Sequence, residues 1–229
     1  MKLFKLALAA SAATFALGAA AGAQAADSTV AFNVGVVSDY VFRGISQTQE
    51  DPAIQGGVDV SSGIAYGGAW ASNVDFGDDT KAEIDVYGGI KPVVGAVTLD
   101  FGLIYYGYVD EPQNADYANW EVKAAASVPA GPATLGAAVF YSNDSFGAAQ
   151  EATYVEVNGA VPVGPFTLSG AFGNQSYRHG EDYNTWNLGA SYTFAEHYTL
   201  DLRYVATDNE TFVGPLGDDR VTLGLKAAF

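Results

Sequence analysis

Acidic and basic side chains recur two residues apart along several segments of the chain, for example Glu121 with Lys123 and Asp201 with Arg203. Residues at this spacing point to one face of a β-strand. If the strands close into a ring with this face inside, the charged groups surround an axis along which ions could pass. The residues predicted to line such a pore are Asp39, Arg43, Asp59, Glu83, Asp85, Asp100, Glu121, Lys123, Glu156, Asp201, Arg203 and Lys226.

Acids outnumber bases in this set by eight to four. Because rings of carboxylates favour cations, the set predicts a narrow, cation-leaning pore. The alternative is a lumen filled by paired charges and by large side chains such as Tyr87, Tyr106 and Phe140. Asp39 and Arg43 would lie about 13 Å apart along one strand face. Each is therefore predicted to pair with a neighbouring strand rather than with the other.

The sequence lacks the residue patterns that enzymatic catalysis or metal binding would need. The chain has no cysteine, which excludes thiol catalysis and thiolate metal sites. His179 and His197 are expected in a loop and a turn, away from any strand serine, so no nucleophile–base pair is indicated. Acidic loop pairs such as Asp78-Asp79 could hold divalent cations that bridge lipopolysaccharide, but solvated surface charge is the favoured interpretation. We therefore predict no catalytic residue, no metal site and no cofactor.

Alternation of apolar and polar residues indicates the elements that would position these groups, because a period of two is typical of β-strands. The apolar phase, predicted to face outward, includes Tyr40 and Phe42 in the first segment. In the third segment it includes Tyr66, Trp70 and Val74. The predicted strands are Val30–Phe42, Ile54–Val60, Ala65–Val74, Ala82–Ile90, Val97–Tyr108, Asn119–Val128, Ala133–Ser142, Thr153–Val161, Phe166–Phe172, Thr185–Phe194, Tyr198–Ala206 and Arg220–Phe229. The pattern predicts an all-β fold, an antiparallel transmembrane β-barrel of about 12 strands.

The connections alternate between short turns and longer acidic loops, which is typical of outer-membrane barrels with periplasmic turns and external loops. Three of the short turns share a Pro, Gly, Thr-Leu pattern, in "KPVVGAVTL", "VPAGPATL" and "VPVGPFTL". The short turns are predicted at 61–63, 91–96, 129–132, 162–165 and 195–197. The long loops are predicted at 44–52, 75–81, 109–117, 143–150, 174–182 and 207–218.

Composition favours lipid outside the sheet over a soluble sandwich or a lipocalin-like barrel with an apolar interior. The chain has 27 Gly, 14 Tyr and 13 Phe but only 10 Lys plus Arg, which is little charge for a water-exposed surface. Aromatic residues are predicted to form two interfacial girdles. The girdle near the long loops comprises Tyr40, Phe42, Tyr105, Trp120, Tyr141, Phe172, Trp186 and Tyr204. The girdle near the short turns comprises Phe166, Tyr192, Phe194, Tyr198 and Phe229. The terminal Phe229 also resembles the assembly signal read by the outer-membrane barrel-insertion machinery.

The first 25 residues are predicted to be a signal peptide. Lys2 and Lys5 precede an apolar run, and Ala23-Gln24-Ala25 fits a small-residue cleavage site. Residues 26–229 are then a single barrel domain, exported through the periplasm to the outer membrane of a Gram-negative cell. The expected surroundings there are outer-membrane lipid and lipopolysaccharide. Removing two lysines leaves 26 acidic residues against 10 − 2 = 8 basic ones, which argues against nucleic acid as a partner.

Two segments, "SDYVFRGISQTQEDPAIQGGVDVS" and "YGGAWASNVDF", are similar to sequences of the TorF family of porin-like proteins, a family long regarded as of unknown function. The resemblance covers essentially the whole chain and implies an outer-membrane barrel. With the residue pattern, it predicts a porin-like channel for passive diffusion of small solutes, cation-leaning in its selectivity. The alternative is a non-conducting outer-membrane barrel with a structural or surface-recognition role.

Overall fold

A computed structural model describes residues 28–146, 150–208 and 214–229, and the predicted signal peptide lies outside these residues. The described chain is almost entirely β-structure, with one short 3-10 helix, Pro215–Gly217. The strands are β1 Thr29–Val37, β2 Val41–Phe42, β3 Ile45–Ser46, β4 Ala53–Ser62, β5 Ala65–Asn73, β6 Ala82–Ile90, β7 Val93–Val94, β8 Val97–Val109, β9 Asn119–Ala130, β10 Ala133–Ser142, β11 Ala152–Val163, β12 Phe166–Tyr177, β13 Tyr183–Phe194, β14 Tyr198–Thr207 and β15 Arg220–Ala228.

Twelve long strands form a closed antiparallel barrel, which confirms the predicted fold class. β2, β3 and β7 are two-residue strands outside this count. Each long strand pairs with its sequence neighbour, and β1 pairs with β15 to complete the ring. At that seam, Phe32 and Phe229 exchange both backbone hydrogen bonds at 2.9 Å. Closure leaves the wall without an unpaired edge.

The apolar side chains of the wall face outward. Val34 is 51% exposed and Leu188 67% exposed, whereas Glu121 and Lys123 on the opposite face are 6% and 5% exposed. This arrangement inverts that of a soluble barrel. Among the described residues, no helix is long and apolar enough to cross a membrane. Aromatic residues of the predicted girdles that are exposed on the wall are Trp120, Tyr141, Phe166, Phe172, Trp186, Tyr192, Phe194, Tyr198, Tyr204 and Phe229.

The outward assignment of Tyr40 and Phe42 is wrong. β1 ends at Val37, where the chain leaves the wall and turns into the lumen. Tyr40 is only 3% exposed, and its hydroxyl donates to Glu83 Oε1 at 3.2 Å. Phe42 packs against Tyr106 with ring centroids 5.9 Å apart. The alternating pattern therefore continues past the end of the strand and into a loop that returns inward.

The outward phase of β5 is also wrong. Tyr66 and Trp70 face the lumen, where Tyr66 Oη donates to Asp100 Oδ1 at 2.7 Å. Trp70 packs edge-on against Tyr40. Val74, just past the strand, is buried in the same region. The aromatic residues of β5 thus have inward-facing contacts, a hydrogen bond for Tyr66 and a ring contact for Trp70.

Long loops lie at one end of the barrel, called here the loop side, and short turns lie at the other, the turn side. The turns at 93–98 and 129–134 contain Gly95 and Gly131 with φ of 63° and 64°, a backbone region that glycine adopts readily. The described parts of the long loops are residues 38–52, 74–81, 110–118, 143–146 with 150–151, 178–182, and 208 with 214–219, the last of which contains the 3-10 helix. We call the first of them, residues 38–52, loop L1.

Candidate functional site

Loop L1 folds back into the lumen as a small hairpin. Val41 pairs with Ser46 and Phe42 with Ile45, so that Arg43 and Gly44 form a two-residue turn. Their φ angles are 46° and 88°, and positive φ at both central residues is the requirement of a type I′ hairpin turn. Glycine meets this requirement easily, whereas Arg43 adopts an uncommon conformation. The tip of the hairpin is therefore held by contacts beyond its own backbone.

The Arg43 guanidinium supplies those contacts. Nη1 and Nη2 donate to the two carboxylate oxygens of Glu121 on β9, both at 2.7 Å. Nη1 also donates to Gln175 Oε1 on β12 at 3.1 Å. Tyr106 Oη donates to Glu121 Oε2 at 3.0 Å. A two-pronged bond of this kind is among the strongest polar contacts in proteins.

Aromatic rings surround the same guanidinium. Arg43 Cζ lies 4.4 Å from the ring centroid of Tyr154, 5.1 Å from that of Phe140 and 4.7 Å from that of Phe42. At these distances the cation is attracted to the ring faces, more strongly where water is excluded. The side chains of Arg43 and Glu121 are only 9% and 8% exposed.

The base of loop L1 is fixed by Asp39. Its Oδ1 accepts from Ser46 Oγ at 2.6 Å and from Thr48 Oγ1 at 3.1 Å. Its Oδ2 accepts from Arg220 Nη1 of β15 at 2.9 Å. Asp39 thus pairs with β15, a neighbour of β1, as the sequence predicts. Arg43 does not pair with Asp39 either, but its partners lie across the lumen on β9 and β12, which are not neighbours of β1. The distance argument behind that prediction assumed a strand, however, and both residues lie in the loop.

The loop side of the lumen is filled. Ile104, Tyr106, Phe140 and Tyr154 form a buried cluster, against which Phe42 packs. A second cluster contains Tyr40, Ala53 and Val74. Together with the hairpin, these clusters occupy the upper part of the barrel, so the large side chains weighed as an alternative from the sequence are present here.

A cavity of about 490 Å³ lies below the hairpin and extends from the turn side up to the rings of Tyr106, Phe140 and Tyr154. The tip of loop L1, including Phe42, Arg43 and Gly44, forms part of its lining. The charged residues of the wall that line it are Asp59, Asp85, Lys91, Glu156, Asp201, Arg203 and Lys226.

Some charges of the turn side are paired. Lys123 Nζ lies 2.7 Å from Asp100 Oδ2, and Lys91 approaches the same oxygen at 3.8 Å. Arg203 Nη2 lies 3.1 Å from Asp201 Oδ2. These pairs neutralise one another locally and fix the orientation of the side chains.

Other carboxylates accept hydrogen bonds from neutral groups. Asp59 accepts from Tyr87 Oη at 2.6 Å. Glu156 accepts from Tyr154 Oη at 3.0 Å and from Asn158 Nδ2 at 2.8 Å. Within the described ranges, no basic side chain forms a salt bridge with Asp59 or Glu156. The lumen therefore keeps a surplus of negative charge after its ion pairs are formed.

All twelve residues predicted to line a pore lie inside the barrel, either on the inner face of the wall or in loop L1. The structure brings Arg43 together with Glu121, Asp100 with Lys123, and Asp201 with Arg203. The sequence did not single out Gln175 or Lys91 as lumen residues. The sequence places Gln175 in the predicted loop 174–182. In the structure, β12 extends to Tyr177 and therefore includes Gln175. That the twelve residues line a conducting path stays a prediction.

The external loops are tied together by aromatic and polar contacts. Tyr117 stacks on Phe146 with centroids 4.5 Å apart, and Phe76 packs edge-on against both rings. Asp78 accepts hydrogen bonds from the Thr80 backbone at 2.8 Å and from Tyr117 Oη at 2.7 Å. These hydrogen bonds lower the pKa of Asp78. In the part of the chain that the structure describes, no cluster of His, Asp and Glu could hold a metal ion.

The comparisons with known proteins agree with this architecture. A family model described as a bacterial protein of unknown function, Gcw_chp, matches residues 20–229. The chain belongs to this family. The family's description carries no activity, and the TorF name stays a prediction. No protein of curated function shows significant sequence similarity to the chain.

Solved structures share the barrel. An outer membrane channel from Pseudomonas putida F1 has a TM-score of 0.56 at 12% identity, and the alignment covers 91% of this chain and 96% of that one. OmpT of Vibrio cholerae, in a form that lacks loop L8, has a TM-score of 0.48 at 11% identity, with 90% and 100% covered. At 12% identity, the likeness to the Pseudomonas putida channel shows the fold alone, a closed antiparallel β-barrel.

Proposed function

We propose that the chain is an outer-membrane channel for passive diffusion of small solutes, with a preference for cations. The observation that carries the proposal is the inversion of the barrel. Apolar residues cover its outside, and a polar lumen with a cavity of about 490 Å³ lies inside. A closed barrel with an apolar exterior suits a lipid bilayer, since closure gives each long strand a paired neighbour on both sides.

The cation preference is supported by the surplus of carboxylates. Asp59 and Glu156 face the cavity without a salt-bridge partner among the described residues, whereas Asp100 and Asp201 are paired with bases. Among the wall residues that line the cavity, the four acids Asp59, Asp85, Glu156 and Asp201 outnumber the three bases Lys91, Arg203 and Lys226 by one. Carboxylates without a basic partner along a narrow path lower the energy of a cation more than that of an anion.

For this function, we propose that the protein is located in the outer membrane of a Gram-negative cell, which it reaches through the periplasm. Lipid and lipopolysaccharide would surround the barrel, and the barrel-insertion machinery would read the strand that ends at Phe229. We propose a transport role and not an enzymatic one.

Conductance in planar lipid bilayers tests the proposal. Purified protein should give small, discrete current steps, and a KCl gradient should give a reversal potential of the sign expected for cation preference. A reversal potential of the opposite sign would contradict the cation preference alone.

A sealed barrel with a structural or recognition role is the second candidate. It is favoured by the filled loop side of the lumen, where loop L1 and two aromatic clusters lie. Liposome swelling with small sugars and amino acids separates the candidates. Vesicles that stay impermeable, together with an absence of current steps even after loop L1 is shortened, would favour the sealed barrel.

A further inference from the structure

Apart from the ring of Phe42 in loop L1, the groups that surround the Arg43 guanidinium belong to the barrel wall. Glu121 lies on β9, Gln175 on β12, Phe140 on β10 and Tyr154 on β11. Each of these side chains is less than one-tenth exposed. None of these four comes from loop L1, so the wall provides all the hydrogen-bond acceptors and two of the three rings around the group that the loop inserts. We call these four residues the wall pocket.

The chemistry of the wall pocket matches a planar cation with several donors. The carboxylate of Glu121 accepts two parallel N–H bonds of 2.7 Å, and Gln175 accepts a third at 3.1 Å. The rings of Tyr154 and Phe140 lie 4.4 and 5.1 Å from the guanidinium carbon. A guanidinium group offers both the forked donors and the flat face that such a site recognises, whereas an ammonium group is a point charge.

The carboxylate is also held in place independently of Arg43. Tyr106 on β8 donates to Glu121 Oε2 at 3.0 Å, so a wall residue orients the acceptor that Arg43 uses. A site whose acceptor is fixed beforehand loses less entropy on binding. The wall pocket should therefore keep its shape when the Arg43 side chain is removed.

We propose that the wall pocket is a binding site for guanidinium groups and that Arg43 is its tethered ligand, so that occupancy by Arg43 holds loop L1 across the lumen. The binding site itself does not depend on the proposed channel function, but its effect on current does. A tethered ligand competes at an effective concentration in the mM range for a short linker. Free guanidinium solutes should consequently bind well only when Arg43 is absent or withdrawn.

The first test uses Arg43→Ala in planar bilayers, with methylguanidinium as the probe. The variant should carry more current than the wild type, because the hairpin has lost its anchor. Methylguanidinium should then reduce that current at mM concentrations, and methylammonium at the same concentration should not. Glu121→Gln added to Arg43→Ala is the matched control. It removes the charged acceptor and should weaken the block about tenfold or more.

The second test measures binding without current. Thermal unfolding of Arg43→Ala in detergent micelles should shift to higher temperature with methylguanidinium, since a ligand that binds the folded state stabilises it. The Arg43→Ala/Glu121→Gln variant should show a much smaller shift. Arg43→Gln, which keeps a polar side chain that is shorter and uncharged, serves the same purpose if Arg43→Ala does not fold.

The outcomes separate the two proposals. Methylguanidinium that neither blocks nor stabilises Arg43→Ala more than methylammonium does would overturn the guanidinium site. Wild-type and Arg43→Ala channels of equal conductance would overturn the role of Arg43 in closing the lumen while leaving the channel function intact. Stabilisation of Arg43→Ala by methylguanidinium without any current would support the site and contradict the channel function.

Discussion

The two halves of the lumen differ although one set of strands builds both. On the loop side, aromatic side chains and the hairpin of loop L1 pack around Arg43 and Glu121 until little space is left. On the turn side, charged residues line an open cavity of about 490 Å³. The wall alternates in the same way throughout, so the difference arises from a loop that returns inward.

The comparison separates two uses of a buried charge. Glu121 is buried beside aromatic rings, and its only salt-bridge partner among the described residues is Arg43. Asp59 faces a cavity and accepts a hydrogen bond from Tyr87. Substitutions on the loop side should therefore change stability first, and substitutions on the turn side should change ion selectivity first.

The largest effect is expected for Glu121→Ala. It leaves the buried Arg43 guanidinium without its carboxylate, and breaking a buried ion pair in this way costs about 3–5 kcal/mol of unfolding free energy. Urea unfolding in detergent micelles measures the loss. The double variant Arg43→Ala/Glu121→Ala is the control and should be more stable than the single variant, because it leaves no charge unpaired. A loss below about 1 kcal/mol would show that this pair does not anchor the hairpin.

Gly44→Ala should rank second. A Cβ atom there would lie 2.6 Å from Thr185 Oγ1 and would also clash with Thr207 Cγ2 at a φ of +88°. The left-handed backbone and the overpacking together should cost about 2–4 kcal/mol. Gly131→Ala is the matched control, since its φ is +64° but no atom lies within 4 Å of the added Cβ. Equal losses for both variants in urea unfolding would mean that the hairpin tip does not press against the wall.

On the turn side, Asp59→Asn should leave stability nearly unchanged and reduce cation preference. Loss of one carboxylate beside a hydrated path should lower the cation-to-anion permeability ratio about two- to fivefold, equivalent to about 0.4–1 kcal/mol. The reversal potential in a KCl gradient measures it. Lys226→Gln, in the same cavity, should move the ratio in the opposite direction. A shift of the same sign for both variants would contradict the electrostatic explanation.

The smallest effect is expected outside the lumen. Arg178 and Glu151 form an ion pair of 2.8 Å between external loops, with side chains 60% and 43% exposed. Water screens such a pair, so Arg178→Ala should change the unfolding free energy by no more than about 0.5 kcal/mol. A loss as large as that of Glu121→Ala would remove the distinction between buried and exposed pairs that the other predictions use.

Much of the wall could be predicted from the sequence. The alternation of apolar and polar residues distinguishes the two faces of a strand. In a closed barrel, every strand has an apolar outer face and a polar face toward the lumen. The alternation alone therefore places Glu121, Lys123, Asp201 and Arg203 on the inner face. The repeated turns at Gly95, Gly131 and Gly164 could be predicted for a similar reason, since Pro and Gly act locally.

The interior of the loop side could not be predicted in the same way. Tyr40 and Phe42 continue the alternation of β1, so the pattern alone cannot distinguish a longer strand from a hairpin that turns inward. The Arg43-Gly44 turn lacks the Asn-Gly or Asp-Gly signal of strong hairpins. Ser38-Asp39 and Gly44 were the residues that could have indicated a hairpin instead of a longer strand. In β5, Tyr66 and Trp70 were misassigned because aromatic residues with polar atoms suit a lipid interface and a lumen alike.

The seam between β1 and β15 joins the beginning of the folded chain to its very end, where Phe32 and Phe229 bond to each other. Contacts so distant in sequence form slowly, because a long segment must be ordered before they are made. The barrel therefore cannot close until β15 has formed and paired with β1. A peptide fused after Phe229 would have to leave through this joint, beside the backbone bonds between Phe32 and Phe229.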